Sequence, residues 1–285
     1  MSIKMRTNKI FSVLKIVILL FLSIFLIAII LNYWQLRDIK EALLSTDSLS
    51  VSGPYPRFSQ SQMQKLDKYI KRGIFQHHIV NLLDAKENRV KECTLSIIPS
   101  LTFTAKRHKL IIVHKIQKLL KDDDWNVRFL AAESLRSEIL KNIDVNNSID
   151  RLQNAWIEEI ENANGESVIV KCQMASSIIC LIQRHAQNVS TKFKGNNDKI
   201  YKIGNNLDKY FAIAIMYKIT EEKKYWYKLI ESYRKCNNSS KKVIIIFFLK
   251  ETKEPWVSMF VKDIMLQEKN LEIKKKLQEI VSSTH

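Results

Sequence analysis

Glycine and proline are scarce in this chain, whose 285 residues include five glycines and four prolines. Average usage of about 7% glycine would give roughly four times as many. The five glycines do not have the spacing of a phosphate-binding loop, and none opens a nucleophile elbow. This argues against P-loop NTPases, Rossmann dinucleotide folds and α/β-hydrolases, because those folds need backbone conformations that glycine supplies. So little turn material also disfavours a β-sandwich or barrel.

The sequence also lacks the common signatures of metal and redox sites. Its four cysteines form no CxxC pair, and its six histidines form no HExxH motif. Cys172 and Cys180 lie about 12 Å apart along one predicted helix, which is too far for a disulfide. We predict that Cys93, Cys172, Cys180 and Cys236 are mostly buried free thiols. A long-range pair such as Cys180–Cys236 is the alternative if the domain is exported.

Leucine, isoleucine, lysine, glutamate and glutamine are abundant, which predicts an all-α fold. The formal net charge is +17, and most of it lies beyond residue 40. Such an excess attracts polyanions such as an acidic protein, an anionic lipid surface or nucleic acid. A lysine-rich, solvated helical surface is the simpler alternative.

Residues 10–31 form an apolar run, and beyond residue 15 its only polar side chain is Ser23. A helix of this length spans about 33 Å, enough to cross a hydrocarbon core of about 30 Å. Tyr33 and Trp34 follow at once, where interfacial aromatic residues are expected. We therefore predict a transmembrane anchor at residues 10–31. A cleaved signal peptide and a buried core helix are the alternatives.

The distribution of basic residues around the apolar run predicts its orientation. Lys4, Arg6, Lys9 and Lys15 precede or open the run, and Arg37 and Lys40 follow it. The larger number on the N-terminal side places the N-terminus in the cytoplasm and the C-terminal part outside it.

Composition divides the chain into four parts. Residues 1–9 form a short basic stub before the anchor. Residues 32–60 form a juxtamembrane segment and a linker. Residues 32–44 could continue as a helix, whereas serines, a glycine and prolines interrupt the helical pattern at residues 45–60. Residues 61–285 form a helical domain. Ser59 and Gln62 have the spacing of a capping box at its start.

Breaks in the helical pattern predict where helices end within this domain. They fall at residues 146–148, 190–206, 237–240 and 253–255. Residues 190–235 fit no clear register.

The most informative stretch is residues 116–135, which read as a helix end, an acidic turn and a second helix. Asp124 suits an N-cap of the second helix. Ala131 and Ala132 allow close approach to a neighbour, and Val127 and Leu135 fit its buried stripe. A β-branched residue followed by a basic one marks four helix starts. These pairs are Val90-Lys91, Val127-Arg128, Val170-Lys171 and Ile273-Lys274.

The first three pairs recur at intervals of roughly 40 residues, as helical-hairpin repeats do. Together with the stretch from Leu120 to Leu135, they resemble the HEAT-repeat family of α-solenoids. The resemblance implies ladders of hydrogen bonds between neighbouring units, formed by Asp122 or Asp124 and by Arg128. Lys91, Lys171 and Lys274 would be weaker substitutes, because lysine lacks the bidentate geometry of arginine. An irregular helical bundle is the alternative.

Two other clusters have simpler interpretations. Tyr225, Trp226 and Tyr227 with neighbouring lysines could stack a single-stranded nucleic acid, but a half-buried amphipathic helix is favoured. Glu158, Glu159 and Glu161 are expected on an exposed helix face.

The predicted anchor, the linker and the resemblance together predict a membrane-anchored scaffold or adaptor that binds proteins. The charge favours an acidic partner or an anionic lipid surface. A membrane-tethered nucleic-acid-binding protein is the alternative, and the predicted orientation disfavours it. We predict no catalytic residue, cofactor, metal or small-molecule substrate.

Overall fold

The computed structural model describes residues 2–44, 56, 58–101, 105–137, 140, 143–162, 167–185, 191–239, 242, 245–246 and 255–282. These residues are helices and connections, with no strand among them, so the all-α prediction is confirmed. The N-terminal helices are α1 (Ser2–Leu44), α2 (Gln60–Lys71), α3 (Ile74–Leu83) and α4 (Asn88–Ile97), followed by a 3₁₀ turn at Ile98–Ser100. The middle helices are α5 (Lys106–Leu119), α6 (Trp125–Leu135), α7 (Val145–Glu161) and α8 (Ser167–His185). The C-terminal helices are α9 (Thr191–Ile203), α10 (Asn206–Thr220), α11 (Lys223–Lys235), α12 (Pro255–Met265) and α13 (Leu271–Ser282).

Local sequence explains several helix ends. Ser59 and Gln62 form the predicted capping box, in which each side chain bonds the other residue's backbone amide. Gly73 follows α2 with a φ of 71°, a conformation that glycine adopts without strain. Asn205 and Asp208 form a second capping box at the start of α10. These caps satisfy backbone amides that have no partner within the helix.

The helices from α3 to α10 pack as two rows. In row A, α3 contacts α5, α5 contacts α7, and α7 contacts α9. In row B, α4 contacts α6, α6 contacts α8, and α8 contacts α10. Each row A helix also contacts the row B helix that follows it in the chain. The core therefore extends along the whole series, between the two rows.

The surroundings of α1 differ between its two ends. Its large apolar side chains between Ile18 and Leu31 are exposed, and the helix from Ile18 to Leu44 is long and apolar enough to cross a membrane. Beyond Trp34, Ile39 and Leu43 are fully buried, and α1 packs against α2, α3 and α4. The same helix therefore continues from an exposed apolar stretch into the core.

The structure corrects two predicted breaks. Residues 146–148 lie in the first turn of α7, and α9 occupies most of residues 190–206. Phe193 and Ile200 bury the inner face of α9 against α7 and α10, which outweighs the poor helix propensity of Gly195 and its asparagine neighbours. Residues 45–55 of the predicted linker and residues 253–254 of the last predicted break lie outside the described residues.

Candidate functional site

A series of ion pairs links α1 to row B and each row B helix to the next unit. We call these four pairs the ion-pair ladder. They are Lys40 Nζ–Glu87 Oε2 at 3.6 Å, Lys91 Nζ–Asp122 Oδ2 at 2.7 Å, Arg128 with Glu159, and Lys171 Nζ–Asp208 Oδ2 at 3.1 Å. Each basic residue lies on α1 or on a row B helix, and each acidic residue belongs to the following unit.

The second and third pairs of the ion-pair ladder meet at the acidic turn before α6. One carboxylate oxygen of Asp122 accepts from Lys91, and the other accepts from the backbone amide of Asp124 at 3.1 Å. Asp124 caps α6 by accepting from the amides of Asn126 and Val127 at 2.8 and 3.3 Å. Arg128 donates to the backbone carbonyls of Asp122 and Asp123. The turn is thus fixed from both neighbouring helices.

The last pair of the ion-pair ladder is the most deeply buried. The Asp208 carboxylate accepts from Lys171 Nζ at 3.1 Å, from Trp156 Nε1 at 2.9 Å and from the Asn205 amide at 3.0 Å. These partners come from α8, α7 and the start of α10. A buried carboxylate needs such partners, because an unpaired charge in the interior is costly. Asp208 therefore joins three helices through one side chain.

A second series of contacts runs along row B, and we call it the carbonyl ladder. Cys93 Sγ lies 3.6 Å from the Leu43 carbonyl, Ser134 Oγ lies 3.1 Å from the Leu95 carbonyl, and Ser177 Oγ lies 2.7 Å from the Ala132 carbonyl. In each case a small side chain reaches the backbone of the preceding helix. Helices α1 and α4 are joined in the same way as α4 and α6, or α6 and α8.

Burial increases along the ion-pair ladder, from α1 towards α10. The side chains of Lys40 and Glu87 are 31% and 48% exposed, whereas those of Lys171 and Asp208 are 5% and 2% exposed. Exposed ion pairs contribute about 0–1 kcal/mol, while removing one partner of a buried pair costs about 3–5 kcal/mol. Loss of the Lys40–Glu87 pair should therefore cost little, whereas removal of Lys171 or Asp208 alone should be costly.

The structure places the repeat residues predicted from the sequence as follows. The apolar positions Val90, Val127, Ala131, Ala132, Leu135, Val170 and Ile273 are buried. Lys91, Asp122, Arg128 and Lys171 belong to the ion-pair ladder, and Asp124 is the N-cap of α6. Lys274 makes no ion pair within the described residues. Asn270 caps the helix there by accepting from the amides of Glu272 and Ile273.

Sequence reasoning missed the acidic partners of three pairs, namely Glu87, Glu159 and Asp208. Glu159 was expected on an exposed face, but it is buried and pairs with Arg128. It follows Trp156 by three residues, so the helical spacing of the buried stripe contained this information. Asp208 was not singled out, although Asn205 and Asp208 have capping-box spacing.

Helix α11 contains the aromatic and basic cluster. Trp226 packs against Tyr217 and Phe260, with ring centroids 5.6 and 5.4 Å apart. The Tyr225 ring lies beneath the Lys224 and Lys228 ammonium groups, at 4.9 and 5.9 Å. Tyr227 is thus the one ring of the three that is largely exposed. A platform for stacking successive bases needs several exposed rings, so the arrangement fits an amphipathic helix better.

The cysteines are free thiols, and Cys93, Cys172 and Cys180 are buried. Burial raises the pKa of the Cys172 thiol well above its usual range, and the nearby Asp208 carboxylate raises it further. This thiol therefore stays protonated and unreactive at neutral pH. Within the described residues, histidine, cysteine, aspartate and glutamate side chains form no cluster that could hold a metal ion.

Taken together, these contacts join neighbouring helices to one another. The ion-pair ladder and the carbonyl ladder both begin on α1 and continue along row B. Comparison of the chain with protein-family models, curated proteins and solved structures finds no match.

Proposed function

We propose that this protein is a single-pass membrane protein whose helical domain is a HEAT-like α-solenoid that binds other proteins. The observation that carries this proposal is that both ladders begin on α1. Lys40 and the Leu43 carbonyl make the same kinds of contact to α4 that later row B helices make to their successors. The apolar helix is therefore the first member of the series, with no flexible joint between it and the core.

The packing of the helices supports the solenoid part of the proposal. Rows A and B place each helix against its counterpart in the neighbouring pair, which is how helical-hairpin repeats stack. A single pair cannot bury its apolar face, so the series gains a continuous core by stacking. Solenoids of this kind present extended surfaces, and their usual task is to bind protein partners.

The exposed part of α1 supports the membrane part of the proposal. Phe21 and Phe25 are 70% and 65% exposed, in a stretch where every described side chain from Ile18 to Leu31 is exposed. Such a surface is unfavourable in water and favourable in lipid. Trp34 follows the stretch, and the Arg37 guanidinium lies 5.0 Å from its ring. This pairing suits the boundary between hydrocarbon and lipid headgroups.

The charge of the chain supports an acidic partner. The formal net charge is +17, and basic surfaces accelerate association with acidic proteins by electrostatic steering. The larger number of positive residues before the apolar run than after it favours an orientation with the helical domain outside the cytoplasm. We therefore propose an acidic protein on the non-cytoplasmic side, with the anionic lipid surface as a second contact.

Anchoring and orientation can be tested together on the full chain with a C-terminal tag. We expect the protein to stay in membranes after carbonate extraction. We also expect the tag to be digested by protease that reaches the non-cytoplasmic face, in intact cells or in sealed vesicles of known orientation. Recovery in the carbonate supernatant would contradict the anchor, and protection of the tag would contradict the orientation.

Partner binding needs a separate test. The full chain would be crosslinked in its native membrane, purified through the tag and analysed by mass spectrometry. A matched control would fuse residues 1–31 and the tag to an unrelated soluble domain. We expect acidic proteins to be enriched over the control, with enrichment falling as ionic strength rises. Equal recovery with both baits would contradict the scaffold function.

A further inference from the structure

A groove lies between α1 and α2, just beyond the exposed apolar stretch. Its volume is about 510 Å³, and its lining includes Asp38, Glu41, Lys65, Lys68 and Tyr69. One water molecule occupies about 30 Å³ of liquid volume. The groove can therefore hold a small polar group of a ligand together with several waters.

The two walls of this groove carry opposite charges. Asp38 and Glu41 lie on α1, and Lys65 and Lys68 lie on α2. No ion pair joins these four side chains across the groove, all of which lie in the described part of the chain. Asp38 instead accepts from Tyr69 Oη at 3.2 Å, and Glu41 pairs with Arg37 at 2.8 Å. An acidic wall thus faces a basic wall across open space.

The Asp38–Tyr69 hydrogen bond holds the groove in this shape. Tyr69 is partly buried, and burial together with the Asp38 charge raises the pKa of its phenol. Its hydroxyl group therefore remains a donor to Asp38 at neutral pH. Because this bond joins α1 to α2, it fixes the separation of the two walls.

The position of the groove along α1 indicates where its ligand comes from. Asp38 follows Trp34 by four residues, about 6 Å or one turn along the helix. Headgroups extend about 5–8 Å beyond the hydrocarbon core on each side of a bilayer. If Trp34 marks the interface, as the proposed anchor requires, the groove opens at the level of the lipid headgroups.

We propose that this groove binds the headgroup of a zwitterionic phospholipid with a primary ammonium, namely a phosphoethanolamine lipid. The phosphate would contact Lys65 and Lys68, and the ammonium would contact Asp38 and Glu41. A neutral pair of opposed walls matches a ligand that carries both charges, whereas a purely anionic headgroup would face two carboxylates. A choline headgroup fits less well, because its quaternary ammonium cannot donate hydrogen bonds to them. The inference rests on the proposed membrane anchor.

The test uses the detergent-solubilised full chain and native mass spectrometry with added phosphatidylethanolamine, phosphatidylcholine or phosphatidylglycerol. We expect at least tenfold greater retention of phosphatidylethanolamine than of the other two. Equal retention of the three lipids, or preference for phosphatidylglycerol, would overturn the proposal. Soluble phosphoethanolamine provides a further arm. Millimolar amounts of it should displace the lipid, because both present the same headgroup to the groove. Retention of soluble phosphoethanolamine without retention of the lipid would overturn the lipid source.

Variants of the two walls sharpen this test. Lys65→Gln with Lys68→Gln should lower retention about tenfold, and Asp38→Asn with Glu41→Gln should abolish the preference over phosphatidylcholine. Lys71→Gln with Lys86→Gln removes the same charge outside the groove and should change nothing. Equal retention by wild type and both wall variants would contradict the assignment. Carbonate extraction of the same variants separates the two proposals, because the anchor should persist when the groove is disabled.

Discussion

Helices α1 and α8 contain the two longest apolar runs described in the structure, and their surroundings are opposite. Side chains of α1 from Ile18 to Leu31 are exposed, whereas every residue of α8 from Val170 to Ile182 is buried. The difference lies in their neighbours. Helix α8 packs against α6, α7 and α10, while the apolar stretch of α1 ends before its contacts begin. Hydropathy alone therefore does not distinguish the two helices. The helices that pack against each one determine whether its apolar side chains are buried within the domain.

The residue types of the two helices also differ. Helix α8 has the small residues Ala175, Ser176 and Ser177 in its middle, which let neighbouring helices approach closely. The apolar stretch of α1 consists mainly of leucine, isoleucine and phenylalanine. Bulky side chains of this kind on all sides suit lipid tails. The length of each run adds to this distinction.

A lysine introduced into each of the two helices should have the largest effect. Ile178→Lys in α8 would bury an unpaired ammonium at a site with 0% exposure. The cost is several kcal/mol, comparable with a total stability of about 5–15 kcal/mol, so we expect the domain to unfold. The measurement is a circular dichroism melt in detergent.

Ile24→Lys is the matched substitution in α1, where the side chain is 62% exposed. It should leave the melting temperature unchanged and disfavour membrane insertion by about 2.5–3.5 kcal/mol. Carbonate extraction reports the insertion defect. Equal loss of melting temperature in both variants would show that α1 is buried in the fold.

Replacing Asp208 tests the buried polar contacts that join α8 to its neighbours. Asp208→Ala would leave Lys171 and Trp156 buried without their shared acceptor. We expect the free energy of unfolding to fall by about 3–5 kcal/mol in urea titrations. Adding Lys171→Met should recover part of the loss, since it removes the unpaired charge. A decrease below about 1 kcal/mol would mean that the pair is solvated.

A matched pair of serine substitutions in the two helices should have smaller effects on stability. Ser177 Oγ donates to the Ala132 carbonyl of the neighbouring α6, and Ser23 Oγ donates to Leu19 of its own helix. We expect Ser177→Ala to cost about 1 kcal/mol of unfolding free energy. Ser23→Ala should change it by less than about 0.5 kcal/mol. A larger effect at Ser23 would require a tertiary contact for the apolar stretch.

Mild acid should destabilise the domain through the buried His78. His78 on α3 is buried, and burial lowers the pKa of its imidazole, as does neighbouring His77. As the pH falls, the imidazole therefore binds a proton in the unfolded chain, at its usual pKa of about 6.5, before it does so in the folded chain. We expect stability to be complete above that pH and to fall by at most about 1.4 kcal/mol per unit below it. Urea titrations between pH 5 and 7.5 should show a flatter profile for His78→Leu, and an unchanged slope would assign the effect elsewhere.

Local signals in the sequence predicted local structure well. The capping box at Ser59 and the N-cap at Asp124 are both present, because a cap depends on residues only two or three positions apart. The buried positions after Val127 follow from helical periodicity. The presence of α9 could not be predicted, because Gly195 and its asparagine neighbours resemble a loop. Asn197 is nevertheless buried and donates to the Ala212 carbonyl of α10.

Contacts between distant residues were less accessible to sequence reasoning. Lys91, Asp122 and Arg128 were expected to take part in contacts between units, but spacing alone did not indicate Glu159 as the partner of Arg128. Glu159 lies on another helix, and its position depends on how the rows stack. The role of Lys40 was hidden for the same reason, since nothing local links α1 to Glu87.

Helix α1 is unbroken, so the number of residues between Leu31 and Ile39 determines how its exposed apolar stretch is rotated relative to its buried end. Each residue of a helix advances about 100° around its axis and about 1.5 Å along it. One extra residue there would turn the exposed apolar stretch by more than a quarter of a revolution relative to the buried end, and a seven-residue insertion would nearly restore the original phase. The rotational position of the apolar stretch relative to rows A and B is thus determined by the number of residues between them in one helix.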